Sequence, residues 1–474
     1  MTQIHELDAT ALAAAIGRRE LSHAEVVEHT LERAERLGPR VGAFAHLTPD
    51  YARAQARAAD EGTAGEAAGG PFFGVPCPIK DLTMVEGLPF EAGSVAMRGT
   101  VAPATDGVAR LLARAGTTMI GKTTTPEFGL PPYTEPDTGP AARNPWDVRR
   151  SAGGSSGGAA AAVAAGIVPV AHASDGGGSI RIPASVCGLV GLKPSRGRVS
   201  HGPLRVEGAG LTTDGVLTRS VADAAAFLDV LSRPWPGDYF ALASENFAAA
   251  AARPPGPLRI GVLLDPINVA SAPVHATSRA AVERATRVLE ELGHEVVETT
   301  VPFSPQEWEA FRPLWAVGAL SLPLTPEAER LLVPLTRWMR EQGRAYSGVD
   351  YATAVSAVQG LARKAAEAWH GLDVILTPTL AQPAPFIGEM RDDDDPAADF
   401  EAQKAFTPWT SVWNIIGAPA LSVPLHRAEV DGVELPIGVQ LGGVRLGQEA
   451  QLLALAAQLE EADPWPHPTG GHLA

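Results

Sequence analysis

Cysteine is almost missing from this 474-residue chain, with only Cys77 and Cys187 present. Two cysteines cannot form a disulfide framework at this length, so a reduced, cytoplasmic setting is the expectation. Basic residues are scarce as well: 38 Lys and Arg stand against 54 Asp and Glu, for a formal net charge of −16. This balance argues against a nucleic-acid footprint or attachment to an anionic membrane, and solubility alone accounts for it. Long apolar runs are lacking. The longest run of small apolar residues, Ala159 to Ala173, is broken by Gly166 and Pro169 and is too short to span a bilayer. Residues 1–20 hold no apolar core of the kind a signal peptide needs. No internal repeat, low-complexity linker or convincing domain boundary is seen.

The chain does have enough apolar residues for a large core, at 45% hydrophobic and 19% charged. Residues 8–60 read as three helices. Asp8 caps the first, Ser22 and Glu25 form a capping pair on the second with Gly38 as its stop, and the third ends near Gly62. Residues 74–81 read as a short buried strand ending at Lys80, for which a snorkelling side chain or an ion pair with Asp81 is the plain reading. From residue 105 onward helices and strands alternate. Strands are expected at 167–171, 258–265, 372–380, 419–425 and 436–443, and mostly helix at 301–370. This rhythm predicts an α/β body, a sheet covered by helices, formed as one unit over 1–474. The acidic run 391–400 lacks the ligand spacing of a calcium loop and reads as a solvated turn.

The richest stretch is 151–194. It holds two clusters, Gly153-Gly154-Ser155-Ser156-Gly157-Gly158 and Asp175-Gly176-Gly177-Gly178-Ser179 followed by Arg181. Glycine at this density serves unusual backbone angles or close approach. Three mechanisms compete for it. Gly153 to Gly157 matches G-x-S-x-G, but the polar segment before it is not the strand a nucleophile elbow needs. The phosphate-binding spacings G-x-x-x-x-G-K-[ST] and G-x-G-x-x-G are absent. In the third, successive N–H groups before Ser179 converge on an oxyanion and a base activates the serine. The base is either His172, which nothing in the spacing aims at Ser179, or a neutral Lys80 acting through Ser155. Keeping a lysine neutral near pH 7–8 costs about 3–4 kcal/mol, part of which burial among Val75, Pro76 and Ile79 supplies. Spacing alone leaves these options open.

The chain resembles the amidase signature family. The resemblance rests on GGSSGG, the alanine run after it, SDGGGSIRIPA and CGLVGLKP in order, with 24 residues from Ser155 to Ser179. It extends through GVPCPIKD (74–81), GKTTTPEFG (121–129), RNPWD (143–147), DVILTPT (373–379), WNIIGAPALSVP (413–424) and LPIGVQL (435–441), and so covers nearly the whole chain. It implies one large mixed, twisted sheet with helices on both faces. An N-terminal helical segment (1–65) is followed by a catalytic core (66–230) and the rest of the sheet with a helical lid or wall (231–474).

By the same resemblance Ser179 is the nucleophile, Ser155 the bridging serine after a cis peptide bond, and Lys80 the base. The N–H groups of Gly176, Gly177, Gly178 and Ser179 line the oxyanion hole. Asp175 and Arg181 brace the loop, and Ser156 supports Lys80 or Ser155. Thr124, Tyr133, Trp409 and Asn414 are expected substrate contacts, and Thr124 stands where the family often has asparagine. The implied reaction is hydrolysis of an amide C–N bond through an acyl-enzyme, without metal or cofactor. The implied partner is a small amide or carbamate, with monomer or homodimer undecided. Within the family the wording is most similar to 6-aminohexanoate cyclic dimer hydrolases, aryl-acylamidases and urethanases. The alternatives are the A subunit of the tRNA-dependent amidotransferase, where glutamine usually follows the arginine that Ile182 follows here, and a Ser-His-Asp hydrolase.

Overall fold

The computed structural model describes residues 3–206, 208–466 and 473. Its centre is a mixed sheet of eight strands. In chain order these are β1 (Val170–Asp175), β2 (Val190–Lys193), β3 (Thr213–Thr218), β4 (Arg259–Val262), β5 (Glu295–Glu298), β6 (Val374–Pro378), β7 (Ala420–Val430) and β8 (Val433–Gly443). Across the sheet they run β5-β4-β6-β8-β7-β2-β3-β1. The two pairings around β4 are parallel and the other five antiparallel.

Alternation along the strands sends neighbours to opposite faces. Val374 and Leu376 join one apolar cluster and Ile375 another, and Val170 and Ala171 divide in the same way. Helices Val221–Leu231, Ala276–Glu291 and Glu449–Ala462 cover one face. Helices Gly157–Ala164 and Arg181–Cys187 pack on the other, where every residue of both is buried. The first of these owes its close fit to small side chains. A Cβ on Gly158 would lie 2.4 Å from the backbone N of Thr124 and 2.6 Å from the carbonyl O of Ala43.

The N-terminal helices start where capping predicts, with Asp8 accepting from the Ala11 N–H and Ser22 and Glu25 forming a capping box. Gly38 is not a stop. The helix runs through Pro39 to Val41 and ends at Gly42, which has φ +60°. Gly38 instead gives room to Phe44, whose ring would sit 3.2 Å from an added Cβ. A small three-stranded sheet of Phe44–Leu47, Gly121–Thr123 and Ile79–Lys80 carries the expected lysine strand, which is shorter than 74–81. Residues 301–370 are mainly helical as expected. The acidic turn is self-capped, since Asp392 accepts from the N–H groups of Asp394 and Asp395, and Asp395 caps Pro396–Phe406. Among the described residues no helix is long and apolar enough to cross a membrane.

Candidate active site

Lys80 is held at the end of its strand from two sides. The strand pairs with Gly121–Thr123, while the His172 N–H of β1 donates to the Pro78 carbonyl at 3.0 Å. Lys80 is fully buried, and its Nζ donates to Ser155 Oγ at 2.8 Å and Ser174 Oγ at 3.1 Å. It does not snorkel. Nor does it pair with Asp81, which is taken by Lys122 at 2.7 Å. Burial pulls the Lys80 ammonium down to about 7, against the opposing pull of Asp214 and Asp175. A low pKa does not by itself mark the base, because burial lowers Lys193 to about 7 as well. Lys193 Nζ, however, donates to the Pro194 carbonyl at 2.7 Å, whereas Lys80 meets two hydroxyls.

Ser155 follows a cis peptide bond to Gly154. A Cβ on Gly154 would lie 2.7 Å from the Tyr133 backbone, so only glycine lets the chain pass here. Ser156 begins the helix Gly157–Ala164. Its Oγ meets the Ser174 carbonyl at 3.3 Å and the Ser174 N–H at 3.4 Å, and touches neither Lys80 nor Ser155. The side chain that supports Lys80 is Ser174. It was missed in the sequence because the expected strand 167–171 ended too early; β1 runs Val170–Asp175, and its period of two places Ser174 on the same side as His172, whose Nδ1 receives the Lys80 N–H at 3.3 Å.

The second glycine cluster is a turn leaving β1, wrapped around the Asp175 carboxylate. Asp175 accepts from the Gly178 N–H at 2.8 Å, the Ile180 N–H at 3.2 Å and Arg181 through both oxygens at 2.9 Å. Burial alone would raise its pKa, but Arg181 and its other partners hold it down to about 2. Arg181 also donates to the Thr410 carbonyl and Gln440 Oε1, both at 2.7 Å, and to Asn414 Oδ1 at 2.8 Å. Gly178 was expected in the oxyanion hole, but its N–H is already engaged by Asp175. It serves through its backbone, at φ +137°, where a Cβ would meet Thr410 and Ile182 at 2.6 Å. The N–H groups of Gly176, Gly177 and Ser179 donate to no acceptor among the described residues. Ser179 is 8% exposed and borders a cleft.

The apolar wall of that cleft comes from Leu130, Ile182, Trp308, Phe311, Trp315 and Phe400. The four residues expected to touch substrate do not border it. Asn414 is bound to the Asp175 carboxylate and to the carbonyls of Asp175 and Leu211. Trp409 is fully buried, with its Nε1–H on the Asp265 carbonyl at 2.9 Å. Tyr133 donates to Asp399 at 2.6 Å, and burial with that carboxylate pushes its phenol far up. Thr124 is buried, with its N–H on the Ala43 carbonyl at 3.0 Å and its carbonyl receiving the Gly158 N–H at 3.1 Å. The family position of Thr124 and the aromatic and proline segments around Tyr133, Trp409 and Asn414 suggested contact, but all four are buried away from the lining of this cleft. His172 has both ring nitrogens engaged, Nδ1 by the Lys80 N–H and Nε2 with Asp214 Oδ1, each at 3.3 Å, and shares no hydrogen bond with Ser179. His172 is therefore not placed as the base for Ser179.

The family model described as Amidase matches residues 25–453. The 6-aminohexanoate-cyclic-dimer hydrolase of Paenarthrobacter ureafaciens is 37% identical over 486 aligned positions, covering 97% of this chain and 95% of that protein. A solved structure of 6-aminohexanoate cyclic dimer hydrolase complexed with substrate superposes with a TM-score of 0.88 at 33% identity, covering 99% of this chain and 100% of that one. A bacterial aryl acylamidase superposes with a TM-score of 0.84 at 27% identity, covering 98% of each chain.

Proposed function

Since the chain belongs to the amidase family and is a hydrolase of amide C–N bonds, we propose that it works through Ser179, Ser155 and Lys80 and an acyl-enzyme. The observation that carries this reading is the 2.8 Å contact between a fully buried, low-pKa Lys80 and Ser155, with Ser174, which leads into the Asp175–Ser179 turn, also at the Lys80 Nζ; Ser155 and Ser179 share no hydrogen bond among the described residues. Neutral Lys80 takes the Ser155 proton while Ser155 takes that of Ser179. The freed oxygen of Ser179 forms a bond to the amide carbon. The oxyanion is met by the N–H groups of Gly176, Gly177 and Ser179, which hold no competing acceptor. The C–N bond then breaks as Lys80, through Ser155, returns the proton to the leaving amine. Water attacks the acyl-enzyme by the same relay, releasing the acid and restoring Ser179.

The aromatic wall of the cleft supports small, largely apolar amides, anilides, cyclic amides or carbamates as substrates. The expected test is a panel of these compounds with the purified chain alone. Ser179→Ala should abolish turnover in a folded protein, and Lys80→Ala should lower it by several orders of magnitude with partial recovery at high pH. Full activity of either variant, or a strict need for a partner subunit, would overturn the reading.

A further inference from the structure

One residue bordering the cleft carries a buried polar side-chain atom that has no partner among the described residues. Asn268 borders the same cleft as Ser179 and is only 2% exposed. Its Nδ2 donates to the Thr407 carbonyl at 3.2 Å, and its own N–H reaches the Pro408 carbonyl at 3.3 Å. The Thr407 carbonyl thereby fixes the amide orientation and makes Oδ1 the remaining acceptor. Oδ1 is buried and meets no donor among the described residues. Leaving a buried acceptor unmet is costly, and a ligand that supplies the donor removes the cost.

The charge of the cleft narrows what that ligand can be. Lys404 also borders it, but its Nζ is held by Glu309 at 3.1 Å and Glu401 at 3.0 Å. Among the described residues that line the cleft, none offers an uncompensated cation to a carboxylate. We propose that the cleft selects neutral substrates carrying a second N–H donor apart from the scissile bond, as a second secondary amide or carbamate does, and that Asn268 Oδ1 receives it. This deepens, and rests on, the acyl-transfer reading above. Asn268 is a binding residue that discriminates between substrates and takes no part in the proton relay.

The test uses 4-nitroanilides whose acyl chain ends in an acetamide, over a series of chain lengths, each paired with its N-methylated counterpart. The wild-type enzyme should favour the N–H member by about tenfold in kcat/KM at the fitting length, because the analogue leaves a buried acceptor unmet. In Asn268→Ala that ratio should fall to about one, and in Asn268→Asp, which keeps an acceptor, it should persist. A wild-type ratio near one at every length would overturn the proposal even if Asn268→Ala failed to fold. An unchanged ratio in a folded Asn268→Ala would do so too. Hydrolysis of neither member by the wild type would instead bring down the underlying acyl-transfer reading, a failure distinguishable because both compounds would be silent.

Discussion

Lys80 carries a charge that burial opposes, and this has consequences for both rate and stability. With burial lowering it to about 7, its base form appears as pH rises through neutrality. The kcat/KM profile of an unactivated amide should therefore rise through an acid limb near pH 7 and level off above it. Stability follows the same titration. The native pKa lies below the unfolded value, so between about 7 and 10 the unfolded chain binds more protons and stability climbs with pH. Lys80→Met should thus be more stable than wild type at pH 7, by on the order of a few kcal/mol, with the difference shrinking toward pH 10. Urea unfolding of both proteins at the two pH values checks it, and a constant difference would refute it. Ser174→Ala removes one of the hydroxyls around Nζ and should lower kcat/KM by about tenfold, read across the same pH range. At this scale the sequence was only partly legible. Lys80 and Ser155 lie 75 residues apart and no spacing argument brings them together, so their pairing was reached through resemblance. Ser174 was not reached because the expected strand 167–171 stops short of it; the strand runs Val170–Asp175, and only there does alternation put Ser174 beside His172.

Elements here are shaped by what must pass close to them. In the helix Gly157–Ala164, intrinsic propensity favours alanine over glycine by about 1 kcal/mol. Gly158→Ala should nevertheless destabilise the protein, because its Cβ would enter the Thr124 and Ala43 backbone. A higher urea midpoint for this variant would show the contact to be slack. The turn after β1 depends on Arg181, whose guanidinium serves the Asp175 carboxylate, two side-chain amides and one backbone carbonyl. Arg181→Lys cannot reproduce that fork, and it should lower kcat by at least about tenfold while KM moves less. Helix starts were legible from Asp8, Ser22 and Glu25, since capping is local chemistry. The end of the second helix was not. Gly38 looks like a stop in one dimension and is a site of close packing against Phe44 in three.

At the scale of the whole molecule, the alternation of helix and strand predicts the α/β class but not the order of strands. That order joins β1 to β3 and β6 to β8 across long intervals of chain, and loop closure leaves no local mark. The residues lining the cleft were equally hidden. Leu130, Ile182, Asn268, Trp308, Phe400 and Ser411 come from separate segments, and only the fold collects them. The proposal that 1–474 forms one unit has a direct check. Tryptophan fluorescence, far-UV circular dichroism and activity should be lost in one urea transition, and separated transitions would divide the chain. The burial of Lys80 bears on the whole catalytic cycle. A base shielded from bulk water by its burial beside Ser155 and Ser174 takes its protonation state from solvent between turnovers and, within a turnover, passes its proton through Ser155 to the reacting groups. The molecule then runs a closed proton circuit within each turnover, and turnover at fixed pH should be indifferent to buffer identity and concentration.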